Sequence, residues 1–96
     1  RAIEVEPGLV QAYQGIGWIY MERRQLVEAQ KVVERCAEIA PGYGPNYVLM
    51  GRVLTAQGFY ENARESFERA FRLDPSLRER YGVLSTELAL RHRLVR

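Results

Sequence analysis

Residues 13–20 read Tyr-Gln-Gly-Ile-Gly-Trp-Ile-Tyr, and residues 47–54 read Tyr-Val-Leu-Met-Gly-Arg-Val-Leu, 34 positions further on. In each, an aromatic, an aliphatic, a glycine and another large residue fall at i, i+3, i+4 and i+7: Tyr13, Ile16, Gly17, Tyr20, then Tyr47, Met50, Gly51, Leu54. That spacing is one stripe of a 3.6-residue helix. Working outward, Ala29, Val33 and Cys36 follow the first stripe at the offset at which Ala63, Phe67 and Ala70 follow the second. Pro7, Pro41 and Pro75 mark the joints at the same step, and Tyr81, Leu84, Ser85 and Leu88 begin a third copy. A fixed period of this size is the mark of a stacked repeat array rather than of a single globular design.

Each copy reads as two helices, and the pattern predicts helices at roughly 9–23, 26–40, 44–57, 60–73 and 76–93. Gly58 sits where a helix must end and turn, because glycine reaches positive φ without a Cβ penalty. Arg24 holds the same place one period earlier, and a left-handed turn kept there costs about 1 kcal/mol. Gly44-Pro45 and Pro75-Ser76 open the later helices, since proline is tolerated in a first helical turn and disfavours continuation of the preceding helix. Gly17 with Ala29, and Gly51 with Ala63, are small residues in register that let the two helices of a hairpin approach, while Tyr20, Phe67 and Phe71 fill the space between hairpins. A glycine inside a helix costs about 1 kcal/mol against alanine, so two in register point to contacts that offset the penalty.

Composition narrows the function classes. The chain has 96 residues, is 47% hydrophobic and carries a net charge of +2. That is one domain or a piece of one, with too little charge to mark a polyanion partner. The positive excess is C-terminal, where Arg78, Arg80, Arg91, Arg93 and Arg96 stand against Glu79 and Glu87. Arginines near a helix C-terminus answer the helix dipole, and no nucleic acid is expected. No apolar run is long enough to span a bilayer. Residue 1 is Arg, so the sequence is expected to be an excised fragment with any targeting segment outside it. Cys36 is the only cysteine and falls on a packing stripe. It marks no oxidising compartment, and the reading leans to a soluble, cytoplasmic protein without fixing the compartment. His92 is the only histidine, in a basic tail. Metal-ligand spacing, a nucleophile paired with a base, and a phosphate-cradling loop are all missing, so neither catalytic residues, nor a metal, nor a cofactor is expected.

The residues quoted above resemble the tetratricopeptide repeat, with its pattern W-x₂-L-G-x₂-Y, then A-x₃-F, then P over 34 residues. Here the pattern stands as Tyr13-x₂-Ile16-Gly17-x₂-Tyr20, Ala29-x₃-Val33 and Pro41, and again as Tyr47-x₂-Met50-Gly51-x₂-Leu54, Ala63-x₃-Phe67 and Pro75. The resemblance implies an all-α, right-handed superhelical solenoid of antiparallel helix hairpins. It divides the chain into the end of a preceding repeat (1–8), two repeats (10–43 and 44–77), and a half repeat or capping helix with a basic tail (78–96). Members of the family usually bind peptides or helices of partner proteins, or scaffold assemblies, and are not usually enzymes.

The resemblance also implies that the first helix of each pair lines a concave groove. The faces of those helices not used for packing carry Gln11, Gln14, Trp18 and Met21, then Pro45, Val48, Arg52 and Thr55, with Tyr43 and Leu77 at the rim. Trp18, Met21 and Val48 are expected to floor a site for a partner side chain, with Arg52 holding an acidic group. The competing reading is that Trp18 covers the joint between repeats. Some family members clamp a C-terminal carboxylate with Lys and Asn; the matching places here hold Gln14, Trp18 and Leu49, so that clamp is absent.

Two function classes stay open. One is a protein-interaction module that binds a peptide or helix in the groove. The other is a structural segment that self-assembles into a homo-oligomer, or spaces other domains, through its end faces. On the second reading the first helix leaves Tyr13, Ile16, Ile19 and Tyr20 partly uncovered, and Val83, Leu90 and Leu94 form an apolar edge on the last helix.

Overall fold

The computed structural model describes residues 7–83. Helix α1 runs Pro7–Glu22, α2 Leu26–Ile39, α3 Gly44–Gln57 and α4 Tyr60–Leu73. The chain is helical again from 76 to 83, a segment called α5 below. Boundaries follow from turn chemistry. Past the end of α3, Gly58 adopts φ 89°, its amide donates to the Thr55 carbonyl at 3.0 Å, and the Phe59 amide donates to the Leu54 carbonyl at 2.9 Å. This is the paired closure of a Schellman turn, which satisfies carbonyls that the helix end leaves open. Past α1 the same two bonds recur, Arg24 to Met21 at 3.0 Å and Gln25 to Tyr20 at 2.9 Å, with Arg24 held at φ 63°. The left-handed turn is therefore kept without glycine, because the two hydrogen bonds that close it outweigh a Cβ penalty of about 1 kcal/mol.

The other joints repeat as faithfully. The Ala40 amide donates to Cys36 and the Tyr43 amide to Ala40; 34 residues later Asp74 donates to Ala70 and Leu77 to Asp74. Two hairpins of one design, α1–α2 and α3–α4, thus stand side by side and make an all-helical hairpin solenoid. Among the described residues there is no strand.

Two clusters make up the core. Ala29 and Val33 of α2 meet Leu49 and Val53 of α3, with Trp18, Tyr20, Met21 and Met50 packed around them. Tyr47, Val48, Ala63, Phe67, Ala70, Phe71 and Leu77 form the second cluster, with Ala37, Leu54, Tyr60 and Tyr81 against it. The first cluster seals the joint between hairpins; the second binds the α3–α4 hairpin to α5. The small residues work as their spacing implies, with one refinement. A Cβ on Gly51 would stand 2.8–3.0 Å from the Phe67 ring, the partner helix of its own hairpin. A Cβ on Gly17 would stand 3.0 Å from Leu49 Cδ2, in the next hairpin, and 3.6 Å from Val32 and Val33 in its own. Gly17 therefore makes room chiefly between repeats, not within one. Cys36 is wholly buried, and burial pushes its thiol up, only partly opposed by a backbone hydrogen bond. It is a small core residue.

Candidate partner-binding face

Helices α1 and α3 lie side by side, and their shared face carries most of the residues expected to meet a partner. The central feature is a stack: the Arg52 guanidinium carbon of α3 lies 5.0 Å from the centroid of the Trp18 ring of α1. Trp18 is half-buried, its body packed on the cluster of Ala29, Val33, Leu49 and Val53. The indole thus covers the joint between repeats and carries a cation on its ring. A guanidinium held this way gains about 0.5–2 kcal/mol from the ring quadrupole, depending on desolvation. Among the described residues no carboxylate pairs with Arg52.

The other residues expected on this face carry no charge. Gln11 is exposed, Met21 half-buried against the first core cluster, and Tyr43 37% exposed at the mouth of the α2–α3 turn. The Thr55 hydroxyl donates to the Gly51 carbonyl at 2.7 Å, one turn back along its own helix. Gln14 is tied down. Its Nε2 donates at 2.8 Å to Oδ1 of Asn46, and Nδ2 of Asn46 donates to the carbonyls of Ala40 at 2.8 Å and Cys36 at 3.1 Å. Asn46 is 0% exposed, and its carboxamide joins α1, the end of α2 and the start of α3. It therefore fixes the side chain of Gln14 and the spacing of the helices that form the face.

Two expected face residues lie elsewhere. Val48 is 2% exposed and sits in the second core cluster, so it cannot floor a site shared with Trp18 and Met21. Leu77 is 5% exposed in the same cluster rather than at a rim. The reason is local: α4 and α5 close over this side of α3 with Phe67, Phe71 and Tyr81, and an apolar side chain there gains more from burial than from lining a groove. Of the expected assembly edge, Val83 is 69% exposed, while Leu90 and Leu94 lie outside the described residues. Asn46 is the residue that sequence reasoning passed over. Its counterpart one period earlier is Ala12, so the repeat gives no hint of it; a polar residue just behind a Gly-Pro helix start was the available signal.

Among the described residues no group of three or more His, Cys, Asp or Glu side chains is placed to hold a metal ion, and no helix is long and apolar enough to cross a membrane. The family described as tetratricopeptide repeat matches residues 10–43 and 45–77, more than half of the chain and in register with both hairpins. Its repeats generally mediate protein–protein interaction and belong to a scaffold kind of family rather than an enzymatic one. No curated protein and no solved structure matches the chain significantly.

Proposed function

We propose that this chain, which belongs to the tetratricopeptide repeat family, binds a peptide or helix of a partner protein across the α1–α3 face, through Gln11, Gln14, Trp18, Met21, Tyr43, Arg52 and Thr55. The observation that carries the reading is the Trp18–Arg52 stack. Tryptophan and arginine are the residues most enriched at binding hot spots. Here they are presented together, braced from behind by core packing and flanked by uncharged hydrogen-bonding groups. A pre-positioned anchor loses little side-chain entropy on binding, which is where much affinity is otherwise forfeited. The test is site-specific photocrosslinking in the native cells. A photoreactive residue in place of Gln11 or Thr55 is expected to capture a protein that the same residue at Glu61, on the exposed surface of α4, does not. Capture from Glu61 alone would refute the assignment.

A second reading rests on the outer face of α1. Ile16 is 43% and Ile19 50% exposed, whereas Val53, the counterpart of Ile19, is fully covered by the neighbouring hairpin. An assembly that seats another repeat on α1 would cover both isoleucines. Light scattering discriminates: a dimer of the parent chain abolished by Ile19→Asp favours assembly, and a monomer at all concentrations removes it.

A further inference from the structure

We infer that the partner segment carries an Asp or Glu side chain that pairs with Arg52 while a neighbouring apolar group rests against Trp18 and Met21. This rests on the α1–α3 face being the binding surface. The argument comes from comparing stacked arginines within the molecule. Arg78 lies over the Phe71 ring at 4.8 Å and spends its free edge on the Glu68 carboxylate, 3.2 Å away. Stacking engages the face of a guanidinium and leaves its N–H donors in plane, a fork that suits one carboxylate. Arg52 has the same ring support from Trp18 but no carboxylate among the described residues. Arg69 and Arg80 also stack on rings, Tyr47 and Tyr81, but both are exposed. Arg52 is half-buried, with the indole displacing water from one face. A cation placed so is partly desolvated and gains more from a counter-charge than an exposed one does. The face residues around it, Gln11, Gln14, Met21, Tyr43 and Thr55, carry no charge, so the partner's carboxylate meets a positive site without a repelling acid in that set.

The experiment is a selection of short random peptides, both ends blocked so that only side-chain carboxylates are present, on the folded chain and on Arg52→Gln. Hits are then titrated by the fluorescence of Trp18, the only tryptophan. Expected on the parent chain is an enrichment of Asp and Glu over Asn and Gln at one position, lost on Arg52→Gln. Expected for the best peptide is binding about tenfold weaker when its acid is replaced by the matching amide. That peptide-side substitution decides the matter even if Arg52→Gln fails to fold. Peptides that perturb Trp18 with no acid preference would overturn the inference and leave the binding face standing. An acid preference that survives Arg52→Gln would overturn it by pointing to another cation. A selection with no peptide that perturbs Trp18 would overturn both.

Discussion

Asn46 uses the acceptor and both donor protons of its carboxamide in full burial, on partners from two other helices. Low dielectric strengthens such a group when satisfied and makes it costly when broken. Removing it leaves the Ala40 carbonyl without that donor and frees Gln14. Asn46→Ala is therefore expected to lower unfolding stability by about 1–3 kcal/mol in urea titration. It should also loosen the proposed face, seen as a red shift of Trp18 emission in the still-folded variant. A variant as stable as the parent would show that water replaces the carboxamide without loss. Trp18 and Arg52, one repeat position 34 residues apart, were each legible from the sequence as residues of the face not used for packing. The tether on Gln14 was not, since it depends on a partner 32 residues away.

The helices owe their limits to short-range chemistry, and here reading and structure agree closely. Expected spans of 26–40, 44–57 and 60–73 stand against observed spans Leu26–Ile39, Gly44–Gln57 and Tyr60–Leu73. The two glycines in register look equivalent in sequence, yet the hairpins use them differently. At Gly51 an added methyl meets several atoms of a Phe67 ring that is 1% exposed and has nowhere to go. At Gly17 it meets the tip of one leucine side chain, which can turn aside, while alanine gains about 1 kcal/mol of helix propensity. Gly51→Ala is expected to destabilise by roughly 1–3 kcal/mol and Gly17→Ala to be near neutral. Gly17→Leu, too large for either outlet, should cost about as much as Gly51→Ala. Thermal melts of the three variants check the order; equal losses for both alanine variants would mean that Leu49 is as rigid as Phe67.

A solenoid distributes stability along its axis, because each hairpin is held by its neighbours. Helix α3 is covered by α1 and α2 on one side and α4 on the other, and seven of its residues are buried. Helix α1 packs on α2 and α3 but leaves Ile16 and Ile19 bare. Opening of α1 therefore exposes less apolar surface than opening of α3. Native-state hydrogen exchange is expected to show the slowest amides in α3 and α4 and faster exchange in α1. Equal protection in all four helices would point to an all-or-none unit, or to a dimer that covers the α1 face.

What this amino-acid order settled unaided is the period, the two-helix unit and the turn at Gly58. Those features arise from interactions within a few residues of chain, so a linear pattern contains them. Which side of α3 would close was decided only by the packed molecule. Gln14 and Val48 occupy one repeat position, yet the first is partly open beside Trp18 and the second is sealed among Phe67, Phe71 and Leu77. Burial at such a position depends on what the neighbouring helices bring to it from thirty residues away, and that information is carried by distance and rotation between helices, not by spacing along one of them.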